Sequence, residues 1–213
     1  MSALNFCEAP QPRRRAAAAA LALALLLLPA AAYAQTAAPP ATSPELSVEW
    51  KQPSELAPQG EAPQASWRLL GESGGQKHYL MVLRSGDELI SALLRFAAEE
   101  KVTSATFTAL GGVRNPKFAW FDPARKQYKL MSLQQPAEGF GILGNLTHNK
   151  DNGRVVVHAH GAFGLSTGEV RGGHLVSVTA SPTIEVSIQT SPVLLNRMLD
   201  PETGIYLVEP QRR

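Results

Sequence analysis

The chain has 213 residues, with 20 Lys and Arg against 18 Asp and Glu, for a formal net charge of +2 with histidine neutral. That balance lacks the strongly basic footprint of a nucleic-acid binder, and the length suits one domain with flexible ends. A single cysteine, Cys7, excludes a disulfide framework within the chain.

The first residues read as an export leader. Arg13, Arg14 and Arg15 supply a positive start, Ala16 to Leu28 is an apolar run of alanine and leucine, and Ala32-Tyr33-Ala34 is a cleavage signal before Gln35. The apolar run is too short for a spanning helix, which needs roughly 20 residues. Residues 1–34 are therefore expected to be a signal peptide, and the mature chain to be periplasmic or secreted with no membrane span. The leader carries three arginines and Glu8, so its removal leaves 17 basic and 17 acidic residues. Cys7 leaves with it, so any metal site must use histidine and carboxylates.

Residues 35–66 are rich in Pro, Ala, Ser and Gln and read as a flexible arm. Trp50 and Trp67 stand out in this region and are expected to dock on their own domain, because burying a tryptophan removes much apolar surface from water. The folded domain is placed at 67–190, followed by a tail over 191–213.

Tyr79 to Leu83 is a continuous apolar run and predicts a buried strand. Gly86-Asp87-Glu88 opens a helix, in which Leu89, Leu93, Phe96 and Ala97 recur at helical spacing. Asp87 and Glu88 in its first turn suit the helix dipole. Val102 to Leu110 reads as a strand ending at Gly111-Gly112. Lys117–Phe121 and Gln127–Leu133 flank an Asp-Pro turn and predict a hairpin. Glu138–Thr147 and Arg154–Phe163 flank Asn152-Gly153, a tight-turn signal. Gly173–Ala180 and Thr183–Gln189 flank Ser181-Pro182, and Ile205–Val208 reads as a short docking strand. One main helix followed by antiparallel strands predicts a single α+β domain.

His158-Ala159-His160 and Gly172-Gly173-His174 carry the chemistry. Side chains alternate along a strand, so His158 and His160 share a face. The Gly-rich stretch after them lets the chain return, which could bring His174 opposite the pair. Gly172 and Gly173 leave room for close strand approach. Three imidazoles suit zinc or another divalent transition metal with one position left open for water or a small-molecule substrate. Pairing of the same histidines with backbone groups in a polar groove is the competing reading. Glu138 and Glu169 are candidates for orienting the ligands from behind. A cupin site is a poor fit, since Glu169 lies too far from His160 for that spacing.

Several of these segments together resemble one family. They are Arg84-Ser85-Gly86-Asp87-Glu88, Ala109-Leu110-Gly111-Gly112-Val113, Tyr128, Gly144-Asn145, His158-Ala159-His160, Gly172-Gly173-His174-Leu175 and Glu185-Val186. From about Tyr79 to Gln189 the chain looks like a PPC domain, the plant and prokaryote conserved domain. The resemblance implies a largely antiparallel α+β domain that assembles as a homotrimer. It also implies a metal, often taken as zinc, on His158, His160 and His174. Plant members join this domain to a basic AT-hook that enters the DNA minor groove, whereas this chain has no such segment. Balanced charge and the leader make nucleic acid an unexpected partner, because non-specific DNA affinity comes mainly from phosphate neutralisation. The expectation is thus an exported, trimeric metal-binding protein. The alternatives are DNA binding by family analogy and a structural or interaction trimer without catalysis.

Overall fold

From Thr183 to Thr190 burial alternates residue by residue, with Ile184, Val186 and Ile188 inside and Glu185, Ser187 and Gln189 outside. This period-two pattern recurs through the chain and builds a ten-stranded sheet. The structure, a computed structural model, describes residues 46–209. The expected leader, the first part of the expected arm (35–45) and residues 210–213 lie outside the described residues.

The strands in chain order are β1 (Ser47–Lys51), β2 (Ser66–Ser73), β3 (Gln76–Arg84), β4 (Ala105–Asp122), β5 (Gln127–Ser132), β6 (Pro136–Asn149), β7 (Val155–Gly164), β8 (Val170–Thr190), β9 (Asn196–Leu199) and β10 (Tyr206–Glu209). One helix, α1 (Leu89–Glu99), lies between β3 and β4. The domain is therefore sheet-rich, with one helix and mostly antiparallel pairing, as expected. The exception to antiparallel pairing among these strands is β6 with β9.

The pairings close on themselves. β4 pairs with β6, β6 with β7, β7 with β8, and β8 again with β4. Helix α1 buries Leu89, Ile90, Ala92, Leu93, Phe96 and Ala97, the apolar stripe visible in its spacing. Phe96 receives Tyr79 and Trp67 edge-on, with ring centroids at 5.0 Å and 5.5 Å. Trp67 is thus docked on its own domain, and its indole N–H donates to Glu100 at 2.9 Å.

The helix start differs from the expectation of two acidic residues inside the first turn. Glu88 is the N-cap, accepting from the Ser91 amide at 2.7 Å, and both Asp87 and Glu88 are fully buried. Glu88 also accepts from the Ser177 hydroxyl and the Val178 amide on β8. Asp87 accepts from the amides of Gln64 and Arg84. These carboxylates stitch the helix start to its neighbours.

Three further differences concern boundaries. Gly111-Gly112 does not end its strand, and Ser181-Pro182 does not separate two strands; β4 and β8 run through both points. The two sites face each other at a register shift in the β4–β8 pairing. A Cβ on Gly111 would lie 2.2 Å from the Thr183 carbonyl oxygen, and one on Gly112 would lie 2.3 Å from that of Ser181. The glycines permit a close-packed bulge where the sequence suggests a break.

Second, residues 46–66 are not a flexible arm. Ser47–Lys51 pairs with β5 along five positions, Pro53–Glu55 forms a 3-10 turn, and Ala62 and Ala65 are buried in the core. Trp50, on β1, is 38% exposed under the guanidinium of Arg125, 4.5 Å from its ring centre. Third, the tail carries the short strand expected near Ile205–Val208, as β10, but pairs it with β9, which joins the sheet through β6 and extends the fold beyond residue 190. Among the described residues no helix is long and apolar enough to cross a membrane.

Candidate metal centre

Strand β7 sorts its side chains by period two. Ala159 and Phe163 point into the core, while His158 and His160 share the opposite face. The β7–β8 register sets His174 directly across from His160. Close approach at this point depends on glycine. A Cβ at Gly172 would sit 2.0 Å from the Gly161 carbonyl oxygen.

The three imidazoles consequently cluster, each offering a nitrogen within 4.8 Å of the other two. Ring centroids are 5.2 to 5.6 Å apart. Nitrogens bound tetrahedrally to zinc at 2.0–2.1 Å stand about 3.3 Å apart, so modest side-chain rotation closes the set. His158 and His174 are half-buried and His160 is exposed. Tyr128 stacks on His174 at 5.1 Å with planes inclined by 27°, which holds that ring in place.

Burial first, then the positive charge of Arg197 and the neighbouring His160, lowers His158 to a pKa of about 4. His174 is also lowered to about 4, by burial first and then by His158, His160 and Arg197. Both rings are therefore neutral well below pH 7, the form that offers a lone pair to a metal.

The cluster lies in a cavity of about 680 Å³. Its walls come from segments that sequence reasoning had assigned to an arm and a tail. Leu56 follows the 3-10 turn, and Ile205, Tyr206 and Leu207 come from the C-terminal hairpin. Trp120, Phe121 and Tyr128 from the β4–β5 hairpin add an aromatic side.

Arg197 on β9 is the residue that sequence reasoning missed. It is 6% exposed, lines the same cavity, and donates Nε–H to the Thr147 hydroxyl at 2.7 Å. Its other bonds go to the Tyr206 carbonyl at 2.8 Å and to Asn145 Oδ1 at 3.0 Å. Asn145 stands opposite His158 in the β6–β7 pairing. No local sequence pattern marks Arg197, since two of its three partners, Thr147 and Asn145, lie 50 and 52 residues away in the chain.

The two candidate carboxylates are not brought to the histidines. Glu138 is exposed and pairs with Gly164, four residues along β7 from His160 and so about 13 Å away along the strand. Glu169 sits in the loop that closes the β7–β8 hairpin and pairs with Arg171 at 3.2 Å. The expectation that they support the ligands does not fit this arrangement. Tyr128 and the Arg197–Asn145 pair occupy the surroundings instead.

The fold is thus a small domain of closed β4–β6–β7–β8 pairing with one helix packed on β7 and β8 and three histidines on the face of β7 and β8 away from the core. Residues 70–192 match the Plants and Prokaryotes Conserved (PCC) domain, and the chain belongs to this family. The fold is similar to a plant- and prokaryote-conserved (PPC) protein of Pyrococcus horikoshii at 28% identity and a TM-score of 0.59, over 70% of this chain and 97% of that one. It is also similar to a candidate DNA-binding protein of Ralstonia eutropha at 30% identity and a TM-score of 0.58, over 62% of this chain and 91% of that one. A metal-containing protein of Archaeoglobus fulgidus matches at 27% identity and a TM-score of 0.58, over 67% of this chain and 99% of that one. Comparison with curated proteins returns no match.

Proposed function

We propose that this chain is an exported, homotrimeric metal-binding protein that holds a divalent transition metal, with zinc the first choice, on His158, His160 and His174. One observation carries the reading: three imidazoles converge within 4.8 Å inside a cavity. Two of those rings are kept neutral by burial. The metal-containing Archaeoglobus relative supports it. The donor set fits the ion, since three imidazole nitrogens are a zinc donor set that leaves a coordination position open. A metal held there would act as a Lewis acid toward a small molecule in that space. His158, His160 and His174 bind it, and Tyr128 orients His174.

Metal analysis of protein purified without chelator tests this. One equivalent of metal per chain is expected, lost in the triple variant His158→Ala, His160→Ala, His174→Ala. Absence of stoichiometric metal from the native protein would sink the reading. Light scattering for a mass of three chains tests the trimer. Cell fractionation, with an N-terminus read at Gln35, tests export.

DNA binding is the second reading, favoured by the description of the Ralstonia relative. The balanced charge of the chain after residue 34 opposes it. A salt-sensitive mobility shift of duplex DNA by the processed protein would overturn that preference.

A further inference from the structure

Arg197 has no place in holding a cation, yet it is buried beside the three histidines. Its hydrogen bonds run to Thr147, Tyr206 and Asn145, all neutral acceptors. Those bonds use three of the five N–H groups of a guanidinium and leave two. Among the described residues no carboxylate forms an ion pair with it, and no acidic side chain lines the cavity. An arginine keeps its charge, and a buried charge without a counterion is costly. A divalent cation on the three imidazoles would add two more positive charges to the same space. The cavity then has positive charge at its polar end and apolar or aromatic walls elsewhere, and its 680 Å³ falls in the range that encloses a small organic molecule.

We propose that this cavity binds a small organic carboxylate, whose charged end lies between the metal position and Arg197 and whose apolar body rests against Trp120, Phe121, Ile205 and Leu207. The Arg197 half of this site stands on the cavity alone, and the metal half rests on the reading given under Proposed function. Inorganic anions satisfy the charge and leave the apolar walls unused. A planar guanidinium also matches a carboxylate better than a lysine ammonium would.

The test uses the full purified protein loaded with cobalt(II), whose visible absorption reports both the presence of the metal and a change in its ligands. Benzoate is titrated in, with benzamide as the uncharged probe of the same shape, and calorimetry is run in parallel. The expected result is that benzoate alters the cobalt band and binds at least tenfold more tightly than benzamide. Arg197→Lys should weaken benzoate at least tenfold while the cobalt spectrum without benzoate stays unchanged. A normal cobalt band that benzoate leaves untouched, with flat calorimetry, overturns the proposal, as does equal binding of benzoate and benzamide. The benzoate–benzamide comparison needs no variant, so it decides the matter even where Arg197→Lys fails to fold. If cobalt does not bind, the metal reading fails. Calorimetry on the metal-free protein then decides: benzoate binding that Arg197→Lys abolishes supports the anion site, and its absence overturns it.

Discussion

His160 and His174 stand directly opposite each other across the β7–β8 pairing, with ring centroids 5.6 Å apart and planes at 82°. The pair spans two strands, so it forms only when the hairpin is in register. Exposed His160 takes no part in the core. We therefore expect His160→Ala to fold normally and to lose more than about 100-fold in metal affinity, beyond the loss seen when a residue behind a ligand is removed. His174→Ala should lose the metal and also some stability, because it removes the partner of Tyr128. Chelator competition with cobalt, alongside thermal unfolding, separates the two effects.

Acid should weaken the metal-free protein. His158 and His174 are held near a pKa of 4 in the fold, against an ordinary 6.5. Above pH 6.5 both are neutral whether folded or unfolded, and they add no slope. Between pH 6.5 and 4 the unfolded chain takes up protons that the folded chain refuses, so stability falls as pH falls. Below about pH 4 this contribution levels off. Urea midpoints of the metal-free protein across that window, compared with a His158→Gln, His174→Gln variant, measure the effect. An equally steep decline in the variant would rule out these two rings as its source.

Gly172→Ala should damage the site from a distance. Its Cβ would meet the backbone of Gly161 at 2.0 Å, a contact that no rotamer change can relieve. Separation of β7 from β8 is the available response, at about 1–3 kcal/mol or more, and it moves His174 away from His160. Gly71→Ala meets nothing within 4 Å and serves as the control. Thermal unfolding and metal stoichiometry should both fall for Gly172→Ala and stay near the parent value for Gly71→Ala.

Glu88→Ala should cost stability and leave the metal affinity of the remaining folded protein intact. The carboxylate receives the Ser91 and Val178 amides and the Ser177 hydroxyl. Each buried donor left unmet costs about 1–3 kcal/mol. A large fall in melting temperature with unchanged cobalt affinity is the expected outcome. Loss of affinity without loss of stability would instead give Glu88 a role at the site.

The histidine pair and the helix were legible because their information is local. His158 and His160 declare a shared face by spacing alone, and Leu89, Leu93 and Phe96 declare a helical stripe. Gly111-Gly112 and Ser181-Pro182 misled because the residues that end strands also permit bulges, and only the partner strand decides which occurs. Trp50 and Leu56 lie in a stretch whose composition resembles a linker, and the pairing of β1 with β5 orders it. Tyr128 entered the sequence reading only as part of the family resemblance, and Arg197 not at all. Their positions beside the histidines depend on the closing of the whole sheet.

The cavity has two origins along the chain. Its three histidines fall within the stretch that matches the PCC domain, at 70–192. Leu56, Arg197, Ile205, Tyr206 and Leu207 lie outside that stretch. On the carboxylate reading proposed above, selectivity for what enters would be set partly by segments outside the family stretch, while the histidine triad lies within it. Exchanging residues 47–56 and 196–209 between two such proteins should transplant ligand preference without rebuilding the triad.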